Sequence, residues 1–124
     1  MNVVDSSGWI EYFMNGVYAG YFASPIRDTE NLIVPTICIY EVFKRVLLEL
    51  GDNKALKTIG QMSLGAAVDL DRKIAMRAAQ ISLETKLAMA DSIILATARI
   101  YAATLWTQDE HFKEIKSVRY IEKK

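Results

Sequence analysis

The sequence predicts an α/β domain with a mostly parallel sheet. Three observations carry that reading. Short apolar runs of strand length alternate with segments of helical spacing, the pattern of strands joined by crossover helices. The length of 124 residues fits one domain and leaves little room for a second. Apolar residues make up 52% of the chain against only two prolines, enough to fill a core.

Val3 to Asp5 reads as strand one, and Gly8 to Phe13 turns at once into a short helix. Tyr18 to Arg27 is aromatic and apolar enough for a second helix, with Ser24-Pro25 blurring its boundary. Leu32-Ile33-Val34 is a compact strand, and Pro35-Thr36 opens a helix running to about Leu50. Gly51-Asp52-Asn53 closes it, and Lys54 to about Met62 forms a further short helix. Ala66 to Leu70 is the third strand, weakly marked because alanine is a poor strand former. Asp71 to Leu87 is a firmer helix, with Ile74, Ala78, Ile81 and Thr85 or Leu83 on one face. Another helix spans about Ala90 to Tyr101, followed by strand four at Ala103 to Thr107. Asp109 to Phe112 is a helical turn, and Val118 to Ile121 a small last strand.

Composition excludes several function classes. The 15 basic and 15 acidic side chains balance, which argues against a broad basic field gripping nucleic acid. A single cysteine, Cys38, rules out an internal disulfide framework and a clustered thiolate zinc site. The natural setting is reducing and cytoplasmic, with no signal peptide and no membrane-spanning stretch expected. No glycine-rich phosphate loop occurs, and His111 has no companion histidine, which sets aside a histidine-based metal site.

Four acids stand where apolar elements begin, end or turn: Asp5, Glu41, Asp91 and Asp109. In parallel sheets ligands bind beyond the carboxyl ends of the strands, where Asp5 and Asp109 fall. Asp91 begins one helix and Glu41 lies just inside another, so the topology allows all four to converge. Each has a plainer alternative. Asp5, Asp91 and Asp109 fit helix N-caps, Glu41 can rotate to solvent, and Ser6 can cap the first helix or hold a water or phosphate. Lys44 and Arg45 form a solvated edge or touch phosphates. Asp69 and Asp71 read as caps, Glu110 and Glu11 as solvent-facing, and Trp9, Phe13 and Trp106 as packing residues. Converged carboxylates repel and lose hydration, and a hard cation such as Mg²⁺ resolves that conflict. Such a site activates water and stabilises charge on a phosphate, which points to phosphodiester hydrolysis.

At these positions the chain resembles a PIN-domain protein, in particular the small VapC-type toxins of toxin–antitoxin systems. Val3-Val4-Asp5-Ser6-Ser7 resembles the first acidic motif, and Ile39-Tyr40-Glu41-Val42 the second, with Ile39 where a serine often stands. Ala90-Asp91-Ser92-Ile93-Ile94-Leu95-Ala96-Thr97-Ala98 is the most specific match, and Thr107-Gln108-Asp109-Glu110-His111-Phe112 resembles the last motif. The likeness covers essentially residues 1–124. It implies a three-layer α/β/α domain and a ribonuclease using Mg²⁺ or Mn²⁺. Asp5, Glu41, Asp91 and Asp109 would be its metal-binding catalytic centre, Thr107 an assistant, and Ser6 a helper. It also implies an RNA substrate, a small antitoxin partner and a homodimer. The alternative is a PIN-like module that binds RNA or protein without turnover. A phosphoaspartate receiver is disfavoured, since Asp5 is followed by Ser6-Ser7 rather than a second acid.

Overall fold

The computed structural model describes residues 1–124. Its central sheet has five strands, β1 (Asn2–Val4), β2 (Leu32–Pro35), β3 (Ala66–Val68), β4 (Thr104–Thr107) and β5 (Val118–Tyr120), in the order β3-β2-β1-β4-β5. Every pairing is parallel, so the expectation of a mostly parallel sheet is exceeded. The helices are α1 (Ser6–Phe13), α2 (Ala19–Arg27), α3 (Thr36–Leu50), α4 (Asp52–Met62), α5 (Arg72–Thr85) and α6 (Met89–Ile100). Short 3-10 turns follow α2 at Thr29–Asn31 and β4 at Glu110–Phe112. The result is a three-layer α/β/α sandwich.

The chain steps outward from β1 through β2 to β3, then returns to add β4 on the other side of β1. Right-handed crossovers therefore carry α1–α4 and α5–α6 to opposite faces. Both faces of the middle strands are covered, which explains why β1 and β2 are apolar without alternation: Val3, Val4 and Val34 are fully buried. β3 at the edge is largely exposed, which suits its alanines. α6 is the most enclosed helix, with every residue from Ser92 to Ala98 buried.

Local chemistry sets the boundaries. Asp71 accepts from Ile74 N at 2.9 Å and caps α5, so the helix begins one residue later than its periodicity suggests. α2 continues through Pro25 to Arg27. Gly8 lies where α1 crosses α2; a Cβ there would sit 2.7 Å from the Phe22 ring and from Val4 Cγ1. Trp9 is fully buried and stacks on Phe13 with centroids 5.6 Å apart, in the packing role its sequence suggested. Trp106 is also buried, beneath the Arg119 guanidinium, which lies 4.4 Å from its ring centroid. No helix is long and apolar enough to cross a membrane.

Candidate metal centre

The strand order reverses between β1 and β4, and the chain leaves both strands at the same edge. That is the crevice where parallel sheets take ligands. Asp5 follows Val4 directly, and its backbone N donates to Trp106 O at 3.0 Å. Asp109 lies two residues beyond Thr107. Two strands thus deliver two acids to one point.

Asp5 is 2% exposed and fully engaged. Its Oδ1 accepts from Ser7 Oγ at 2.6 Å and from Gly8 N at 3.1 Å, and its Oδ2 accepts from Thr107 Oγ1 at 2.8 Å. The Gly8 bond makes Asp5 the N-cap of α1, so capping and membership of the acidic site coexist in one residue. Burial pushes its carboxyl up to about 7; the bonds from Ser7, Thr107 and Gly8 pull it down, and the charge of Asp109 adds to the rise. Thr107 ties the two strand ends together, because the same Oγ1 accepts from Asp109 N at 2.9 Å.

Ser6 does not cap α1, because Asp5 holds that position. Its hydroxyl instead donates to Glu41 Oε1 at 2.6 Å, drawing the half-buried Glu41 of α3 toward the β1 end. The solvent rotation considered for Glu41 is not adopted. Ile39, in the place where a serine often stands, packs against the core. Cys38 is buried beneath the acids, its Sγ donating to Val4 O at 3.8 Å; burial pushes the thiol up, and Asp5, Glu41 and Asp91 reinforce this.

Asp91 is not an N-cap either. Ala88 occupies that position, and Asp91 is the third residue of α6 with its side chain 15% exposed. Burial raises its pKa above the ordinary carboxylate range, with Asp109 and Glu41 adding repulsion and His111 opposing it. Asp109 does cap, accepting from His111 N at 2.9 Å, while its carboxylate also faces the acidic group.

His111, set aside in the sequence for want of a companion histidine, stands beside two of the acids. Its Nδ1 lies 3.0 Å from Asp109 Oδ1 and 3.3 Å from Asp91 Oδ2. Asp91, Asp109 and His111 each offer one donor atom, all within 4.8 Å of one another. Asp5 and Glu41 lie outside that tight trio, bound to Thr107 and Ser6, yet close enough to act electrostatically on Asp109 and Asp91. A histidine needs no second histidine when two acids meet it; its place two residues after a capping Asp was the available signal. Ser7 was also missed, although the position two after an N-cap faces the capping side chain.

Beside the trio opens a cleft of ≈ 460 Å³, lined by Ser7, Gln108, Asp109, His111, Tyr120 and Lys123 among others. The donor set suits a divalent cation: carboxylate oxygens dominate it, and two of the acids are shifted toward protonation by burial and mutual repulsion.

Fold and site define an α/β/α domain with an acidic centre at its topological switch point. The PIN-domain family model matches residues 3–118, and the chain belongs to that family. No curated protein sequence matches it significantly. Solved structures that share the fold include three toxin structures. One is a toxin–antitoxin complex from Klebsiella pneumoniae, with TM-score 0.82, 23% identity and 95% of each chain covered. Another is the sarcin–ricin-loop-cleaving toxin VapC20 of Mycobacterium tuberculosis, with TM-score 0.78 and 12% identity over 96% of this chain and 98% of that one. The third is DNA-bound VapBC from Salmonella typhimurium, with TM-score 0.77 and 18% identity over 98% of each chain.

Proposed function

We propose that residues 1–124 form a divalent-metal-dependent ribonuclease domain, the toxin of a toxin–antitoxin pair acting in the cytoplasm. The observation that carries this reading is the meeting of Asp91 and Asp109 beside His111, with Asp5 joined to Asp109 through Thr107 and Glu41 held by Ser6 next to Asp5. Asp109 lines the open cleft and Asp91 lies next to it; the two would hold Mg²⁺ or Mn²⁺, with Asp5 and Glu41 completing the negative shell. A cation held there would supply Lewis acidity and a water of lowered pKa. Ser7, Thr107 and Gly8 fix the Asp5 carboxylate, and Ser6 fixes Glu41, so little reorganisation is needed when substrate arrives. Lys123, on the wall of the same cleft, offers a positive charge to an RNA phosphate. Toxin–antitoxin neighbours of the same fold support an antitoxin partner, while a second copy of this chain rests on the family resemblance alone; exposed Leu48, Leu56 and Leu83 offer apolar surface for either. The non-catalytic alternative rests on the balanced charge and on Ile39, which packs against the core and offers Glu41 no polar partner.

The test is incubation of purified protein with total cellular RNA, cut sites being mapped with Mg²⁺ or Mn²⁺ and with chelator. Discrete cuts that need the cation and vanish in Asp91→Asn and Asp109→Asn are expected. Undiminished cutting by those variants would sink the reading.

A further inference from the structure

One nitrogen stands among the oxygens of the acidic centre. The Nδ1 atom of His111 lies 3.0 Å from Asp109 Oδ1 and 3.3 Å from Asp91 Oδ2. Neighbouring ligand atoms in an octahedral shell with bonds of about 2.1 Å are about 3.0 Å apart. Both His111 spacings are of that size, so its nitrogen can share a shell with the two carboxylates without moving far. The backbone favours the same arrangement. Asp109 accepts from His111 N at 2.9 Å, and the adjoining Phe112 is fully buried, so both ends of the turn are anchored.

We propose that His111 is a nitrogen ligand of the divalent centre and biases it toward first-row transition ions over Mg²⁺. This rests on the reading of the acids as a metal site. Mg²⁺ favours oxygen ligands and sheds water reluctantly, whereas imidazole binds more strongly along the series Mn²⁺, Fe²⁺, Co²⁺. An all-carboxylate centre has no such gradient from nitrogen. His111 supplies it while leaving Asp91 and Asp109 in place.

The same distances have a rival explanation, in which His111 is a counter-cation for two crowded acids and leaves when a metal arrives. The two accounts differ in sign. Removing a ligand weakens cation binding, most for the ions that prefer nitrogen. Removing a displaced counter-cation strengthens binding of every divalent ion alike.

The experiment titrates the full chain, His111→Ala and His111→Gln with Mg²⁺, Mn²⁺ and Co²⁺ separately by calorimetry, at one pH and ionic strength. Pulsed electron paramagnetic resonance of the Mn²⁺ complexes reads directly bound nitrogen. The His111 side chain is 64% exposed, so both variants are expected to fold, and matched circular dichroism checks this. Wild type should bind Co²⁺ most tightly and Mg²⁺ least. In His111→Ala the loss should be small for Mg²⁺, larger for Mn²⁺, and about tenfold or more for Co²⁺. The glutamine variant, offering an amide oxygen, should retain Mg²⁺ binding, and the nitrogen coupling should vanish in both.

Unchanged affinity ratios with no nitrogen coupling in wild type overturn the proposal. So does tighter binding of all three ions by His111→Ala, which makes the imidazole a counter-cation. Either outcome leaves the acidic metal centre standing. Failure of wild type to bind any of the ions brings down the centre and this proposal together.

Discussion

Replacing Asp5 by Asn removes a charge while keeping the shape of the site. The Asn Oδ1 can still accept from Ser7 and Gly8, and its Nδ2 can donate to Thr107 Oγ1, whose second lone pair is free beside the Asp109 N bond. The energetic consequence follows from the wild-type carboxyl, which burial lifts from an ordinary 3.8 to about 7. Between those values the native chain holds a proton that the unfolded chain has released. Native stability therefore falls as pH rises through that window. The full penalty above pH 7 is about 4 kcal/mol at about 1.4 kcal/mol per pH unit, and the part accrued from pH 5 to pH 8 is about 3 kcal/mol. Asp5→Asn escapes it. Urea denaturation in chelator should show the variant gaining about 3 kcal/mol over wild type between pH 5 and pH 8. Added Mn²⁺ should then raise the wild-type midpoint more than the variant's, since the native state gains in proportion to its affinity and the variant has lost one negative charge beside the trio. RNA cleavage should be lost in the same well-folded variant. A stability difference that does not change with pH, or a variant weaker than wild type at pH 8, refutes the reasoning.

Thr107→Val keeps the volume but leaves Asp5 Oδ2 and Asp109 N without their hydroxyl partner. It should lower stability by about 1–3 kcal/mol and raise the Asp5 titration midpoint, followed by carboxyl NMR; an unmoved midpoint would detach Thr107 from Asp5. Gly8→Ala forces a Cβ to within 2.7 Å of Phe22 and Val4. A loss of about 1–3 kcal/mol on thermal melting is expected, and an unchanged melt would mean that α1 and α2 part easily. Ser6→Ala frees Glu41 from its 2.6 Å bond. Its stability should change by only about 1 kcal/mol while RNA cleavage falls, and full activity would make Ser6 a purely structural residue.

The elements were legible because each carries a local signal: periodicity in α5, a proline–threonine entry to α3, apolar runs in β1 and β2. Their misjudged ends lie where one side chain decides, as Asp71 does by capping α5 instead of joining it. The acids were legible for another reason. A carboxylate between apolar neighbours, such as Asp91 before Ile93 and Ile94, is costly unless something compensates. Partnerships were not legible. That Ser7 rather than Ser6 grips Asp5, and that Ser6 reaches across 35 positions to Glu41, depends on the rotation of a first helical turn. His111 was missed for the same reason: a lone imidazole carries no periodic mark, and only the turn capped by Asp109 aims it at Asp91.

The reversal of strand order around β1 has a further consequence, for the making of the protein. Asp5 is synthesised long before Asp109, yet the two strands that precede them are direct neighbours. Domains form from the N-terminus during synthesis, so β1, β2 and β3 can assemble while the place beside β1 still stands open. Until β4 enters it, Asp5 lacks Thr107, and Asp91 lacks both Asp109 and His111. The acidic centre of a chain still on the ribosome therefore stays incomplete until the fourth strand is in place.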